Sequence, residues 1–346
     1  MSSRFDRLTP YTPGEQPVDK SYVKLNTNES PFPPSEKAIA AAREELDRLQ
    51  LYPDPTCSKL RRALADRYNV TPDRVLVGNG SDEVLNFAFM AYGDRGVAFP
   101  DITYGFYRVF ADLYRLGALE IPLEADFTIN VDAYKGLGRT IFIANPNAPT
   151  GIALTLSQIE EIVAANPNTV VVVDEAYVDF GGESTVALTD KYDNLLVTGT
   201  FSKSRSMAGA RLGFGIACPS LIADLETLRY STNPYNVNRV TLAAGLGQLA
   251  DEDTTRRNCQ AIMDNRDYTT TALTEMGFTV IPSCANFVFA TCPDIAGKEL
   301  YLKLKDKGIL VRHFDTPRLT NYNRITIGNR QQMDALLDAV KSILEE

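Results

Sequence analysis

A chain of 346 residues is long enough for one large domain with a sizeable core plus a smaller second one. Its formal net charge of -9 leaves no surplus of cations to neutralise a phosphate backbone, which argues against a general nucleic-acid binder. With 44% hydrophobic and 23% charged residues, no apolar run long enough to span a bilayer and no apolar signal core in residues 1–7, the expectation is a soluble cytoplasmic protein with no membrane partner.

Five cysteines, Cys57, Cys218, Cys259, Cys284 and Cys292, form no CxxC pair and read as reduced thiols, so neither a disulfide framework nor a zinc site is expected. The single histidine, His313, sits in the apolar stretch 309–314 and reads as structural. Chemistry that needs several imidazoles is thereby disfavoured, which points to a lysine- or carboxylate-based mechanism without a metal.

In chain order, residues 1–33 are rich in Pro, Thr, Asn and Ser and read as an extended arm, either lying across a partner subunit or simply a loose terminus. From Ser35, a plausible N-cap, Ala38, Ile39, Ala42, Leu46 and Leu49 recur at helical spacing until Pro53 and Pro55 end the pattern. Residues 58–68 read as a second amphipathic helix. Val75-Leu76-Val77-Gly78-Asn79-Gly80-Ser81-Asp82-Glu83 then reads as strand, glycine turn and helix start. Exposed N–H groups and the helix dipole make such a turn an anion site, although Ser81 and Asp82 could simply cap the helix. After a short buried strand at 96–100, Tyr104, Phe106 and Tyr107 open a helix, either as core packing or with a ring that stacks on a flat cofactor.

The strand 140–143 leads into Ala144-Asn145-Pro146-Asn147-Ala148-Pro149-Thr150-Gly151, a turn stiffened by two X–Pro bonds. Residues 169–173 are five consecutive β-formers, the mark of a strand buried on both faces of a parallel sheet, and Asp174 follows at its end. Ligand crevices in open α/β sheets lie at the strands' carboxyl ends, so Asp174 reads as a ligand group more readily than as a helix cap. The next strand, 194–198, runs into Ser202-Lys203, with Arg211 a little further on in a glycine-spaced segment. A lysine beside a cation in a desolvated pocket becomes a usable nucleophile, and a hydroxyl with an arginine fork suits a phosphate. Together they suggest a Schiff base to a phosphate-bearing aldehyde cofactor. Residues 221–248 are helical with a break at 233–235, and 254–276 read as one long helix bridging to a second domain. Beyond Gly277, short strands alternate with helices as in a small α+β domain. Within it Arg324 lies inside an apolar run, where an arginine is costly unless it meets an anion. The expected organisation is an arm at 1–33, a large cofactor-binding domain at 34–250 and a small domain at 251–346, with 34–50 an element that could instead pack on the small domain.

Gly80-Ser81-Asp82, the Asn-Pro-Asn-Ala-Pro-Thr-Gly turn, Asp174-Glu175-Ala176-Tyr177, Ser202-Lys203, Arg211 and Arg324 come in the order found in the fold-type I pyridoxal-phosphate aminotransferases, which the chain resembles over nearly its whole length. Leu8-Thr9-Pro10-Tyr11, Leu25-Asn26-Thr27-Asn28-Glu29, Tyr52-Pro53-Asp54 and Gly78-Asn79-Gly80-Ser81-Asp82-Glu83 are similar to the histidinol-phosphate aminotransferase group within that family. The resemblance implies an α/β fold, with a mostly parallel central sheet in the large domain and a smaller α+β domain. It implies that Lys203 carries pyridoxal 5′-phosphate as a Schiff base and then moves the proton, Asp174 pairs with the pyridine nitrogen, Tyr177 bonds the phenolic oxygen and Tyr104 stacks on the ring. Gly80, Ser81, Asp82, Ser202 and Arg211 would hold the cofactor phosphate. Tyr52, and the arm with it, would reach the neighbouring subunit of a homodimer. Arg324, Arg312, Tyr11 and Asn28 would face the substrate.

One position departs from the family pattern. The residue before Pro-Thr-Gly is asparagine in most relatives and bonds the phenolic oxygen, whereas here it is Ala148; either Asn147 takes over or Tyr177 carries that bond alone. The implied reaction exchanges L-histidinol phosphate and 2-oxoglutarate for imidazole-acetol phosphate and L-glutamate, a step of histidine biosynthesis. An aromatic amino-acid aminotransferase of the same fold, or a decarboxylase of a phosphorylated amino acid, are the alternatives that a shared fold leaves open. A non-enzymatic phosphate-binding module on the turn at 78–80 would leave Lys203 and Asp174 unexplained.

Overall fold

The computed structural model describes Phe5 and residues 8–346; the rest of the predicted arm, Arg7 included, lies outside the described residues. The elements are, in order, β1 (Val23–Lys24), α1 (Glu36–Glu44), α2 (Ser58–Tyr68), β2 (Val75–Gly78), α3 (Ser81–Tyr92), β3 (Val97–Pro100), α4 (Phe106–Tyr114), β4 (Ala118–Ile121), β5 (Thr140–Ala144), α5 (Leu156–Ala164), β6 (Val171–Asp174), β7 (Leu195–Thr200) and β8 (Gly213–Ile216). They continue with α6 (Pro219–Thr232), α7 (Arg239–Leu249), α8 (Glu252–Glu275), β9 (Thr279–Ile281), β10 (Phe287–Thr291), α9 (Gly297–Asp306), β11 (Ile309–Leu310), β12 (Arg312–His313), β13 (Tyr322–Thr326) and α10 (Arg330–Leu344).

Seven strands form the main sheet in the order β2-β8-β7-β6-β5-β3-β4, all parallel except β8, which runs against both its neighbours. The apolar runs alternate their side chains between two packed faces, as the strand period requires. Ile141, Ile143, Val171, Val173, Leu195 and Val197 enter one core, while Phe142, Val172 and Leu196 enter the core on the opposite face. Burying each such side chain contributes about 1.5–3 kcal/mol, which is why these strands tolerate almost no polar residue before their carboxyl ends. The edge strand β4 is not foreseen in the sequence reading: Leu119 is exposed and Glu120 charged, so it lacks the apolar run that marks its neighbours.

A separate core is built around the antiparallel sheet β12-β13-β10-β9 and helices α8, α9 and α10. The long helix α8 starts from Asp251, whose side chain accepts the Thr254 N–H, and it contributes Cys259, Ile262 and Leu273 to this second core.

Segment 34–50 lies against α7 and not on the second core. The Gln248 side chain accepts the Ser35 N–H at 2.9 Å, and Gly247 leaves room for the Lys37 carbonyl where a Cβ would stand at 2.4 Å. The arm is seated against its own chain from Tyr11 to Asn28. Strand β1 pairs parallel with β11, the Leu25 N–H donates to the Leu310 carbonyl, and Arg312 donates to the carbonyls of Thr12 and Pro13 at 3.3 Å. Unpaired backbone groups in an extended segment need partners, and the edge of the second core supplies them.

Candidate active site

The carboxyl ends of β5, β6 and β7 and the start of α3 converge on one cleft of about 690 Å³, part of it open to solvent. Asp174, Tyr177, Lys203, Ser202, Arg211, Ser81, Asp82 and Tyr104 all line it. A second, wider space of about 1320 Å³ shares Tyr104, Ala148, Tyr177 and Lys203 with the first, and its outer wall carries Tyr11, Asn28, Arg312 and Arg324. The lysine therefore stands at the mouth between an inner cleft and an outer chamber. Lys203 Nζ donates to the Thr27 carbonyl at 3.3 Å and lies 5.9 Å from the centre of the Tyr177 ring.

Asp174 ends β6 with its carboxyl buried. Tyr107 donates to Oδ2 at 3.1 Å and Thr198 to Oδ1 at 3.2 Å, but no ion pair reaches it among the described residues. Burial pushes its pKa up to about 6, against the pull of the Tyr107 hydrogen bond, and the Asp82 charge adds to the rise. A cation arriving in the cleft would restore the ionised form.

The opposite end is built for an anion. Gly80, at φ 80°, opens α3, and a Cβ there would stand 2.6 Å from Nη2 of Arg211. Gly213 allows the closest approach: a Cβ would lie 2.2 Å from the Ser81 nitrogen. The N-terminal N–H groups of α3 are thus gathered with the Arg211 guanidinium and the Ser202 hydroxyl. Asp82 holds this end together, accepting from Arg211 at 3.0 Å and from Tyr104 at 2.8 Å. Burial, and then the Asp82 charge, push the Tyr104 phenol well above its usual range, so it stays a neutral donor.

Tyr177 and Asn28 meet directly. Nδ2 of Asn28 donates to the Tyr177 hydroxyl at 3.0 Å, and Asn28 is held in a left-handed conformation at φ 56°. Arg324 is half-buried between the rings of Phe287 and Phe314, 5.3 and 5.8 Å from their centres. It donates to the Asn26 carbonyl at 3.0 Å, its Nε has no partner, and it has no acid within salt-bridge reach among the described residues. Burial lowers its pKa, the sign of a cation short of counter-charge. Tyr11 packs on Phe106 with ring centres 4.6 Å apart.

One of the expected cofactor residues lies elsewhere. Asn147 is turned into its own loop, donating to the Ile102 carbonyl and to Thr150 and accepting from Thr103, and it does not line the cleft. Ala148 does line it, so the position where relatives would place an amide presents a methyl. Tyr52 is 78% exposed and stacks on Tyr235 at 4.5 Å, outside its own chain's cleft. The sequence reading missed Thr198 and Thr200, and it left Tyr107 open between core and site. Threonines following directly on the apolar run 195–197 were the available signal for the first two. Tyr107 carried none, because its ring packs as any core aromatic does.

This fold and cleft define an aminotransferase framework, and the chain belongs to the class I and II aminotransferase family, whose model matches residues 20–340. Among its relatives, histidinol-phosphate aminotransferase of Brachyspira hyodysenteriae is 48% identical, covering 100% of this chain and 99% of its own. Histidinol-phosphate aminotransferase of a Marinomonas species is 50% identical, covering 97% of each chain. The solved histidinol-phosphate aminotransferase of Sinorhizobium meliloti in complex with pyridoxal-5′-phosphate superposes with a TM-score of 0.87 over 94% of this chain and 92% of its own; at 23% identity that likeness speaks for the fold.

Proposed function

We propose that the chain is a pyridoxal-phosphate-dependent aminotransferase, exchanging L-histidinol phosphate and 2-oxoglutarate for imidazole-acetol phosphate and L-glutamate. The cleft fits such a cofactor. Asp174 is a buried carboxylate in want of a cation, Arg211, Ser202 and the α3 N-terminus are donors in want of an anion, and a lysine amine stands at the mouth. When bound, the cofactor supplies an aldehyde for the amine and an electron-withdrawing ring. Lys203 would then hold or move a proton at Nζ, with Tyr104 and Tyr177 in the wall beside it. Asp174 would hold the ring nitrogen in its charged form, with Tyr107 and Thr198 fixing the carboxylate's angle. Tyr177 would donate a hydrogen bond to the ring's phenolic oxygen, with Ala148 bringing no side-chain donor beside it. In the outer chamber Arg324 binds the substrate's anionic group, with Arg312, Tyr11 and Asn28 in the surrounding wall.

The observation that carries the substrate class is Arg324, a guanidinium without an acid partner facing the chamber beside Lys203. A division near residue 250, a homodimer in which Tyr52 reaches the partner's cofactor phosphate, and a cytoplasmic location belong to the same proposal; two separate cores and an outward-facing Tyr52 support the first two. The test is glutamate formation from L-histidinol phosphate and 2-oxoglutarate. Activity that vanishes in Lys203→Ala supports the reading, and absence of transamination in the cofactor-loaded native chain overturns it.

A further inference from the structure

Four hydrogen bonds around Asn28 leave little freedom in how they are oriented. The Asn28 N–H donates to Oγ1 of Thr326 at 2.9 Å. That hydroxyl, already accepting there, gives its own proton to Oδ1 of Asn28 at 3.0 Å. The amide is thereby oriented with Nδ2 toward Tyr177, to whose hydroxyl it donates. An Asn286 amide donating to the Asn28 carbonyl at 3.0 Å completes the clamp. Since Tyr177 accepts from Asn28, its own proton is left to point into the cleft.

From this we infer that Asn28 is a positioning residue, which makes Tyr177 a one-way donor to the group bound in the cleft. The inference rests on the proposed cofactor reading and assigns to Asn28 a task other than touching substrate. It gains weight from the surroundings. Ala148 brings no donor to this wall, Asn147 is committed to its own loop, and the Tyr104 hydroxyl is committed to Asp82. The charged groups facing Tyr177 are Lys203, 5.9 Å from its ring centre, and Arg324, and neither is an acceptor for the phenol proton. Thr326 belongs to β13 and Asn286 precedes β10, so the clamp also ties the direction of the Tyr177 proton to the second sheet.

The test is a pH titration of the visible absorption of protein loaded with pyridoxal phosphate, together with the cofactor's dissociation constant by equilibrium dialysis. Asn28→Asp keeps the shape and the tolerance for positive φ but turns the donor into an acceptor, so Tyr177 donates backward. Thr326→Val removes the hydroxyl that orients the amide and adds no charge. A donor withdrawn from an anionic oxygen raises the proton affinity of the group it served, so both variants move the absorption midpoint upward, Asn28→Asp by about one pH unit. In a Tyr177→Phe background the Thr326→Val shift disappears, whereas a merely structural role leaves it in place. Equal Thr326→Val shifts in both backgrounds, or none in either, overturn the inference. Should the native chain show no visible cofactor band, the cofactor reading itself fails, and the two failures are told apart.

Discussion

The Tyr107 hydroxyl lies 3.1 Å from Oδ2 of Asp174 at the end of a strand whose side chains are otherwise apolar. Without a cation beside it, this carboxyl has its pKa raised from 3.8 to about 6, and neighbouring Glu175, held by Ser184 and Thr185, is pushed by burial up to about 7. An acid whose pKa rises on folding stabilises the fold in its protonated form. That contribution is complete below the unfolded value and is lost as pH rises through the folded one. The cofactor-free protein should therefore lose stability between about pH 4 and pH 7, with about 3 kcal/mol of the loss from Asp174. Urea midpoints measured across that window should show the slope, and Asp174→Asn should flatten it. Tyr107→Phe should extend it to higher pH, because the hydrogen bond it removes favours the ionised form. A flat profile in the unsubstituted protein would contradict this picture of the cleft.

Arg324 predicts the opposite balance between stability and activity. Replacing a partly buried cation that lacks an acid partner with a residue of similar volume costs little and is often stabilising. Arg324→Met should keep or raise the thermal midpoint. It should also raise KM for the phosphate- or carboxylate-bearing substrates roughly ten- to a hundredfold, the worth of a charge-assisted hydrogen bond. A lowered midpoint with unchanged KM would make the arginine structural.

Much of this arrangement is legible in the chain itself, for a physical reason. Asp174 ends one run of buried apolar residues and Lys203 follows a few positions past the next, and parallel strands put such ends on one edge of a sheet, so two chemistry-bearing residues 29 positions apart in sequence were readable as neighbours. Gly80 was readable as a turn glycine before its positive φ was seen. What escaped depends on partners distant in sequence. The reversed direction of β8 leaves no mark on Leu212–Ala217, because a strand buried among strands looks alike either way. The seat of α1 on α7 depends on Gly247 having no side chain, and Asn28's bond to Tyr177 spans 149 residues.

Arg205 supplies a prediction away from the cleft. Two residues past Lys203 and 1% exposed, it pairs with Asp179 at 3.2 Å and with Glu252, the first residue of α8, at 3.3 Å. It joins the lysine segment to the turn after Tyr177 and to the long helix. Arg205→Met should cost about 3 kcal/mol, at the lower end for a broken buried pair because both acids keep some solvent and Glu252 retains Arg67. Chemical denaturation of the cofactor-free protein would measure it, and a loss under about 1 kcal/mol would mean that the pairs are worth no more than exposed ones.

The proposed reaction is met most directly by a single-turnover spectrum. Protein loaded with pyridoxal phosphate is mixed with L-histidinol phosphate, and separately with L-phenylalanine, while the visible cofactor band is followed. Rapid loss of the band with L-histidinol phosphate and sluggish loss with L-phenylalanine is the predicted result. The reverse order would make the chain an aromatic amino-acid aminotransferase, and no band at all with Lys203 intact would contradict the assignment of the cleft.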